Sequence, residues 1–509
     1  MPFEILPLLR YACCALACSM FVQTASAQQM AEDFEIHSLY ESWHLPANES
    51  MGVFALGLRK RFGDYAAIGL DFYDAIEGQR GGFITLGVSG AIEYPISDRW
   101  LAEAGLHLGA GGGNGGYLLT GGGLMLRESL GVKYMLTRSD AVSLGVSHVD
   151  FPEGGKIRSD QFYFSYHRTF KGLFREGQPL FDDDELPAQY LDVHGAGYHQ
   201  LAVILRNVAV PNSVQRLGGL PQSDLQQMGI EWKSYLDADS FFRAETVGAM
   251  GGSSSGYMHV MAGYGREYVL ADGLCAEASL SLGGGGGGAV DTGGGWLSEI
   301  AVGLRKNIYK DWFLKASVGR FNAPHGNFTG TGYVLGVGRA FGEPMSQDYR
   351  PQSAAHVEYH PIRIRATQQT YYGRGNKWRN RPDQNVGNLG MQLDYFVAPQ
   401  VFLTGQGLAA YSGDAGAYMT GLVGMGLHTP FWNDWFVEAE GLVGAAGGGG
   451  LAVGSGLVRQ FNLGVGYQIS DALAIQAGVG DMKAIDGLFA ASSVSLSLNY
   501  SFNLLSLKY

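Results

Sequence analysis

The sequence predicts an all-β fold, a transmembrane antiparallel up-and-down β-barrel, and three observations predict it. The first is strict alternation. In SVSLSLNYSF, Val494, Leu496, Leu498, Tyr500 and Phe502 share one face while Ser495, Ser497, Asn499 and Ser501 share the other, the pattern of a strand that turns its apolar side to lipid and its polar side inward. The second is composition. The 509 residues are 46% hydrophobic and 16% charged, with 78 Gly, too apolar for a disordered chain and too poor in charge for an ordinary soluble enzyme. The third is a threefold repeat of glycine clusters, LGAGGGNGGYLLTGGG, LGGGGGGAVDTGGG and VGAAGGGGLAVGSG.

Taken in order, residues 1–27 read as a secretory signal peptide: Arg10, an apolar stretch from Tyr11 to Val22, and Ala25-Ser26-Ala27 before a cut at Gln28. Cleavage removes three of the four cysteines and leaves Cys275, so neither an internal disulfide nor a cysteine zinc site is available. Repeats follow at 28–172, 196–341 and 356–509, with polar linkers at 173–195 and 342–355. Two uncharged stretches, Ala104 to Leu126 and Gly441 to Val458, have the length of membrane helices. Their glycines exclude helix, since each costs about 1 kcal/mol relative to Ala.

WLAEAG, LCAEAS and WFVEAE bring Glu103, Glu277 and Glu438 into register, and Phe170, Phe341 and Phe502 close the repeats, a period of about 161 to 174 residues. That length suits eight strands. The short connections at Ser97-Asp98-Arg99, Thr137 to Asp140, Lys310-Asp311 and Ser470-Asp471 are expected in the periplasm, with the glycine-rich connections outside. Three eight-stranded barrels in tandem account for the linkers, and one barrel of about 24 strands is the alternative. Inward glycines would ease curvature and leave room in a crowded lumen.

Parity on the fifth strand of each repeat places Glu103, Glu277 and Glu438 in the lumen as charge positions, each expected to meet an Arg, a Lys or a hydrogen-bond cluster. Cys275 shares that inward face as a small filler. The glycine runs lack the Lys-Ser/Thr and the helix that a phosphate loop needs. A net charge of −12 without a basic cluster excludes nucleic acid.

The hairpins HVDFPEG, RFNAPHG and DMKAIDG occupy equivalent places in the three repeats. On the strand before the first, Val142, Leu144 and Val146 face lipid, and parity puts His148 and Asp150 at the outer end of that face; Arg320 and Asn322, then Asp481 and Lys483, are the counterparts. This hairpin, with the glycine-rich strands before it and the aromatic-ended strand after it, resembles the lipid A deacylases, small eight-stranded outer-membrane barrels. The resemblance covers the last three or four strands of each repeat. In that family an outward His-x-Ser, supported by an acid on the next strand, removes an acyl chain from lipopolysaccharide. Here His148 stands at the base, Asp150 replaces the nucleophile and Asp160 is the available orienter. The resemblance thus implies a retained scaffold with vestigial candidates, no catalytic residue, and no cofactor or metal. The expected protein is a non-enzymatic outer-membrane component of a Gram-negative bacterium, structural or lipopolysaccharide-contacting. Its partners would be outer-membrane lipids, lipopolysaccharide and the barrel-assembly machinery. A lipid A acyl hydrolase and a passive porin for small solutes are the alternatives.

Overall fold

The computed structural model describes residues 31–181, 184–187, 198–342, 354–375, 377–381, 384–430 and 432–508. The signal-peptide reading falls outside them, as does most of the second linker. Among the described residues no helix is long and apolar enough to cross a membrane. The stretch from Ala104 to Leu126 is strand, a short 3-10 segment and strand again.

The chain closes three consecutive eight-stranded rings. The first contains β1 (Ala31–Leu45), β2 (Glu49–Phe62), β3 (Ala66–Ala75), β4 (Ile84–Pro95), β5 (Trp100–Gly111), β6 (Leu124–Met135), β7 (Asp140–Asp150) and β8 (Arg158–Glu176). Each strand pairs antiparallel with the next, and β8 returns to β1. After the four-residue β9 (Asp184–Pro187), the second ring is β10 (His199–Ala209), β11 (Leu225–Tyr235), β12 (Ser240–Gly251), β13 (Met258–Ala271), β14 (Leu274–Gly286), β15 (Trp296–Tyr309), β16 (Trp312–Asn322) and β17 (Thr329–Phe341). The third is β18 (Ala354–Gly373), β19 (Val386–Ala398), β20 (Val401–Ser412), β21 (Met419–His428), β22 (Trp435–Gly447), β23 (Leu457–Gln468), β24 (Leu473–Ala484) and β25 (Ala490–Lys508), with β25 returning to β18. The alternative of a single barrel of about 24 strands is overturned by these pairings. The three repeated phenylalanines sit on the closing seams, Phe170 opposite Phe34, Phe341 opposite His199 and Phe502 opposite Ile362.

Burial follows the alternation. On β25, Val494, Leu496 and Leu498 are exposed on the outside while Ser493, Ser497 and Asn499 are buried inside. Apart from the three-residue connection Pro46–Asn48 between β1 and β2, tight turns and longer loops alternate around each ring, which defines a turn end and a loop end. In the turn joining β11 to β12, the Ser240 hydroxyl and the backbone N–H groups of Asp239 and Ser240 donate to Asp237 and hold its carboxyl below the usual range. Outward aromatics pack at the turn end in tilted pairs, Trp100 against Tyr134 with ring centres 4.7 Å apart and Trp435 against Tyr467 at 5.1 Å.

The barrels touch through the glycine runs. A Cβ on Gly82 of the first barrel would lie 2.3 Å from the carbonyl carbon of Gly286 in the second. One on Gly112 would lie 2.3 Å from the carbonyl oxygen of Gly416 in the third, and one on Gly447 of the third 2.2 Å from Cα of Gly256 in the second. Hydrogen bonds cross the same seams, from Gly81 N–H to Gly293 O at 3.1 Å and from Gly123 N–H to Ala410 O at 3.1 Å. The runs expected to relieve curvature therefore also let three backbones meet, because no side chain stands between them.

The beginning of the first linker is also structured. Residues 174–176 continue β8 and pair with β25 of the third barrel. Residues 177–181 then form a strap across the turn end of that barrel. Gly177 N–H donates to Ser501 O at 3.1 Å and Leu180 N–H to Asn503 Oδ1 at 2.9 Å.

Candidate functional site

Two sets of polar residues are available for function, one inside the barrels and one on the outward rim at the loop end. Inside, β5, β14 and β22 carry Glu103, Glu277 and Glu438 on their lumen faces, all buried. Lys133 Nζ lies 2.9 Å from Glu103 and also contacts Glu35 and Glu93. Lys315 Nζ lies 3.1 Å from Glu277, which Lys233 contacts as well. Glu438 accepts from Arg363 at 2.6 Å and lies 2.8 Å from His428 Nδ1. Cys275 is buried nearby and accepts a hydrogen bond from Arg305 at 3.3 Å.

A second lumen cluster escaped the sequence reading. Arg206, fully buried, donates to Glu299 at 2.7 Å and Glu245 at 2.5 Å, and Arg243 contacts both acids from β12. The signal was present in SFFRAETVG, where Arg243 and Glu245 share the face opposite Phe242. Above these networks every lumen is stoppered at the loop end by packed rings: Trp43, Phe83 and Phe151 in the first barrel, Tyr257, Phe321 and Phe328 in the second, Tyr371, Trp378, Tyr418 and Phe489 in the third. Filled interiors are what eight strands allow.

On the outward rim, β7 ends with His148 and Asp150. His148 Nδ1 lies 2.7 Å from Asp160 Oδ1 on β8. The His148 side chain is 35% exposed and Asp160 85% exposed, so the pair faces out of the barrel. Glu128 on β6 stands in register on the other side of His148. Asp150 accepts from Arg158 at 2.9 Å. A carboxylate held by a guanidinium is no substitute for a hydroxyl nucleophile. Arg320 and Asn322 point outward at the same level of the second barrel, and Asp481 and Lys483 do so in the third, where Asp481 pairs with Arg374. None of these holds a histidine beside an acid. Among the described residues no three His, Cys, Asp or Glu side chains gather closely enough to hold a metal ion.

No protein-family model and no curated protein matches the sequence. Solved structures with which it can be superposed include the siderophore receptor PirA from Pseudomonas aeruginosa, 9% identical with a TM-score of 0.27 over 94% of this chain and 81% of the receptor. They also include OccK10 (OpdN) of Pseudomonas aeruginosa, 12% identical with a TM-score of 0.22 over 94% of this chain and 100% of that one. OpdQ of the same organism is 10% identical with a TM-score of 0.20, over 93% and 97%. Likeness at this level carries no argument about what the chain does. The architecture rests instead on its own strand pairing, three closed antiparallel rings of eight strands.

Proposed function

We propose that the protein is a non-enzymatic integral component of the outer membrane whose working surface is its outside, structural and in contact with lipopolysaccharide. The observation that supports this reading is an inversion of ordinary globular burial: exposed Leu, Val, Ile and Phe cover the outward faces of all three barrels while charged, amide and hydroxyl side chains are buried in the lumens. Such a surface is stable in hydrocarbon, where closed barrels leave no backbone group unpaired. On this reading the turn end is periplasmic and the aromatic pairs Trp100–Tyr134 and Trp435–Tyr467 lie at one membrane interface. The ring-packed stoppers argue against a passive pore. The test joins three measurements on purified protein: heat-modifiable migration on gels, no step conductance in planar bilayers, and no fatty acid released from lipopolysaccharide. A stable open channel would replace this reading by the porin one.

The hydrolase reading has one observation in its favour, the His148–Asp160 pair on the outward face. Asp150→Ser would restore the His-x-Ser order beside an acid already in place. We expect acyl release to rise above background in that variant and to be absent from the unmodified protein. Release by the unmodified protein, abolished by His148→Ala, would make it an enzyme with a nucleophile other than serine.

A further inference from the structure

We propose that the outward rim of the third barrel binds the phosphate group of a phosphorylated lipid in the outer leaflet, through Arg459 of β23 and Lys483 of β24. The inference rests on the membrane reading above. The two residues are direct cross-strand partners and both are exposed on the outward face. Like charges placed opposite each other on neighbouring strands destabilise a sheet, and among the described residues neither has a carboxylate within salt-bridge distance. The acid nearest in sequence, Asp481, is engaged by Arg374, which also donates to Ser492 Oγ at 2.8 Å. The guanidinium of Arg459 lies over the ring of Phe461, 5.9 Å from its centre, which leans it along the barrel wall.

Position supplies the occupant. Below the pair, past Asp481 on β24, the same two strands expose Phe461, Leu463 and Val465, and Ile475 and Val479, an apolar strip suited to acyl chains. Two cations at the upper edge of such a strip meet a lipid where its chains end and its phosphate begins. The register positions equivalent to Arg459 and Lys483 carry Leu126 and Asp150 in the first barrel, with Asp150 neutralised by Arg158, and Ser298 and Asn322 in the second. The unneutralised pair belongs to the third barrel alone.

The test uses the whole protein in nanodiscs of phosphatidylcholine doped with lipid A carrying its phosphates or with the same lipid dephosphorylated, and counts lipids retained after detergent extraction by native mass spectrometry. The variant is Arg459→Ser with Lys483→Asn, the residues the second barrel already tolerates there. Retention of the phosphorylated lipid should fall roughly 10- to 30-fold in the variant, from the loss of two surface cations, and should weaken in the unmodified protein as salt is raised. The dephosphorylated lipid should not distinguish the two proteins. Equal retention of phosphorylated lipid by both proteins, equal retention of both lipids by the unmodified protein, or complete displacement by millimolar inorganic phosphate would overturn the proposal. Failure of the unmodified protein to enter nanodiscs would overturn the membrane reading and this inference with it.

Discussion

The second and third barrels fill the same ring of eight strands with different chemistry. In the second, Glu231, Glu245, Glu267, Glu277 and Glu299 are buried against Arg206, Lys233, Arg243, Arg305 and Lys315, and each acid has a basic partner. In the third, Arg363 and Arg365 meet Asp394, Glu438 and Glu440, and the remaining interior is amide and hydroxyl: Gln392, Gln406, Gln476, Asn499, Thr367 and Ser497. The turn ends differ too. Tyr198, Tyr235 and Phe241 close the second barrel from within. The third is covered by the strap at 177–181, above a cavity of about 300 Å³ lined by Arg363, Phe396, His428 and Phe436. A matched ion keeps a fixed partner, whereas amides can exchange partners or take water. The oxygens of Gln369, Gln406, Gln460 and Asn499 in the third barrel, like Gln200 Oε1 and both amide atoms of Gln227 in the second, have no protein partner, and a polar interior satisfies such atoms with water.

The largest expected effect separates these two designs. Arg206→Ala leaves Arg243, already engaged by Glu231, as the one cation shared by the buried Glu245 and Glu299, and removing one member of a buried ion cluster costs about 3–5 kcal/mol. Arg365→Ala leaves Asp394 with Arg363, and Glu440 with Gln392 and Asn462, so its cost should be about 1–3 kcal/mol, that of unmet hydrogen bonds. Urea midpoints of the heat-modifiable form, read barrel by barrel through limited proteolysis, measure both. Equal losses would show that the amide lumen is no more tolerant than the ionic one.

A smaller effect distinguishes a barrel from its neighbours. Gly447→Val places a side chain where Gly256 of the second barrel already stands, and overpacking of this kind costs typically about 1–3 kcal/mol. The two barrels should part at the loop end while each ring stays closed. An engineered cysteine cross-link between Ser255 and Ser455 should then form more slowly than in unmodified protein. Unchanged cross-linking would mean that the glycine contact does not hold the barrels together.

Much of this fold was legible from period and parity, because a strand that faces lipid on one side must alternate. The eight strands per repeat, the seam positions of Phe170, Phe341 and Phe502 and the inward direction of Glu103, Glu277 and Glu438 follow from that rule. The partners of those glutamates did not. Lys133 meets Glu103 diagonally from the adjacent strand, while Lys233 of β11 reaches Glu277 of β14 and Arg206 of β10 reaches Glu299 of β15 across the lumen, and such pairings depend on register and on how the strands stagger around the ring, which no single strand records. The glycine junction was hidden for a related reason: the contact of Gly82 with Gly286 joins two barrels, while periodicity describes one strand at a time. The strap was hidden by distance, since Leu180 finds its acceptor on Asn503. At the outward rim, the sequence placed His148 and Asp150 on one face, and the structure adds that His148 meets Asp160 and that Asp150 is occupied by Arg158.

The smallest expected effect returns to the ionic lumen. Cys275 is small, buried and bonded to Arg305, whose guanidinium is also held by Glu267 at 2.5 Å and 3.2 Å. A sulfur acceptor is weak beside a carboxylate, and serine keeps both the size and an acceptor at that position. Cys275→Ser should therefore move the urea midpoint of the second barrel by less than about 0.5 kcal/mol, within the range of neutral substitutions. Cys275→Val removes the acceptor and should still cost little, because Glu267 alone satisfies the charge. A loss comparable to that of Arg206→Ala would mean that the thiol is part of the ion network, and that the second barrel has even less tolerance than its paired charges indicate.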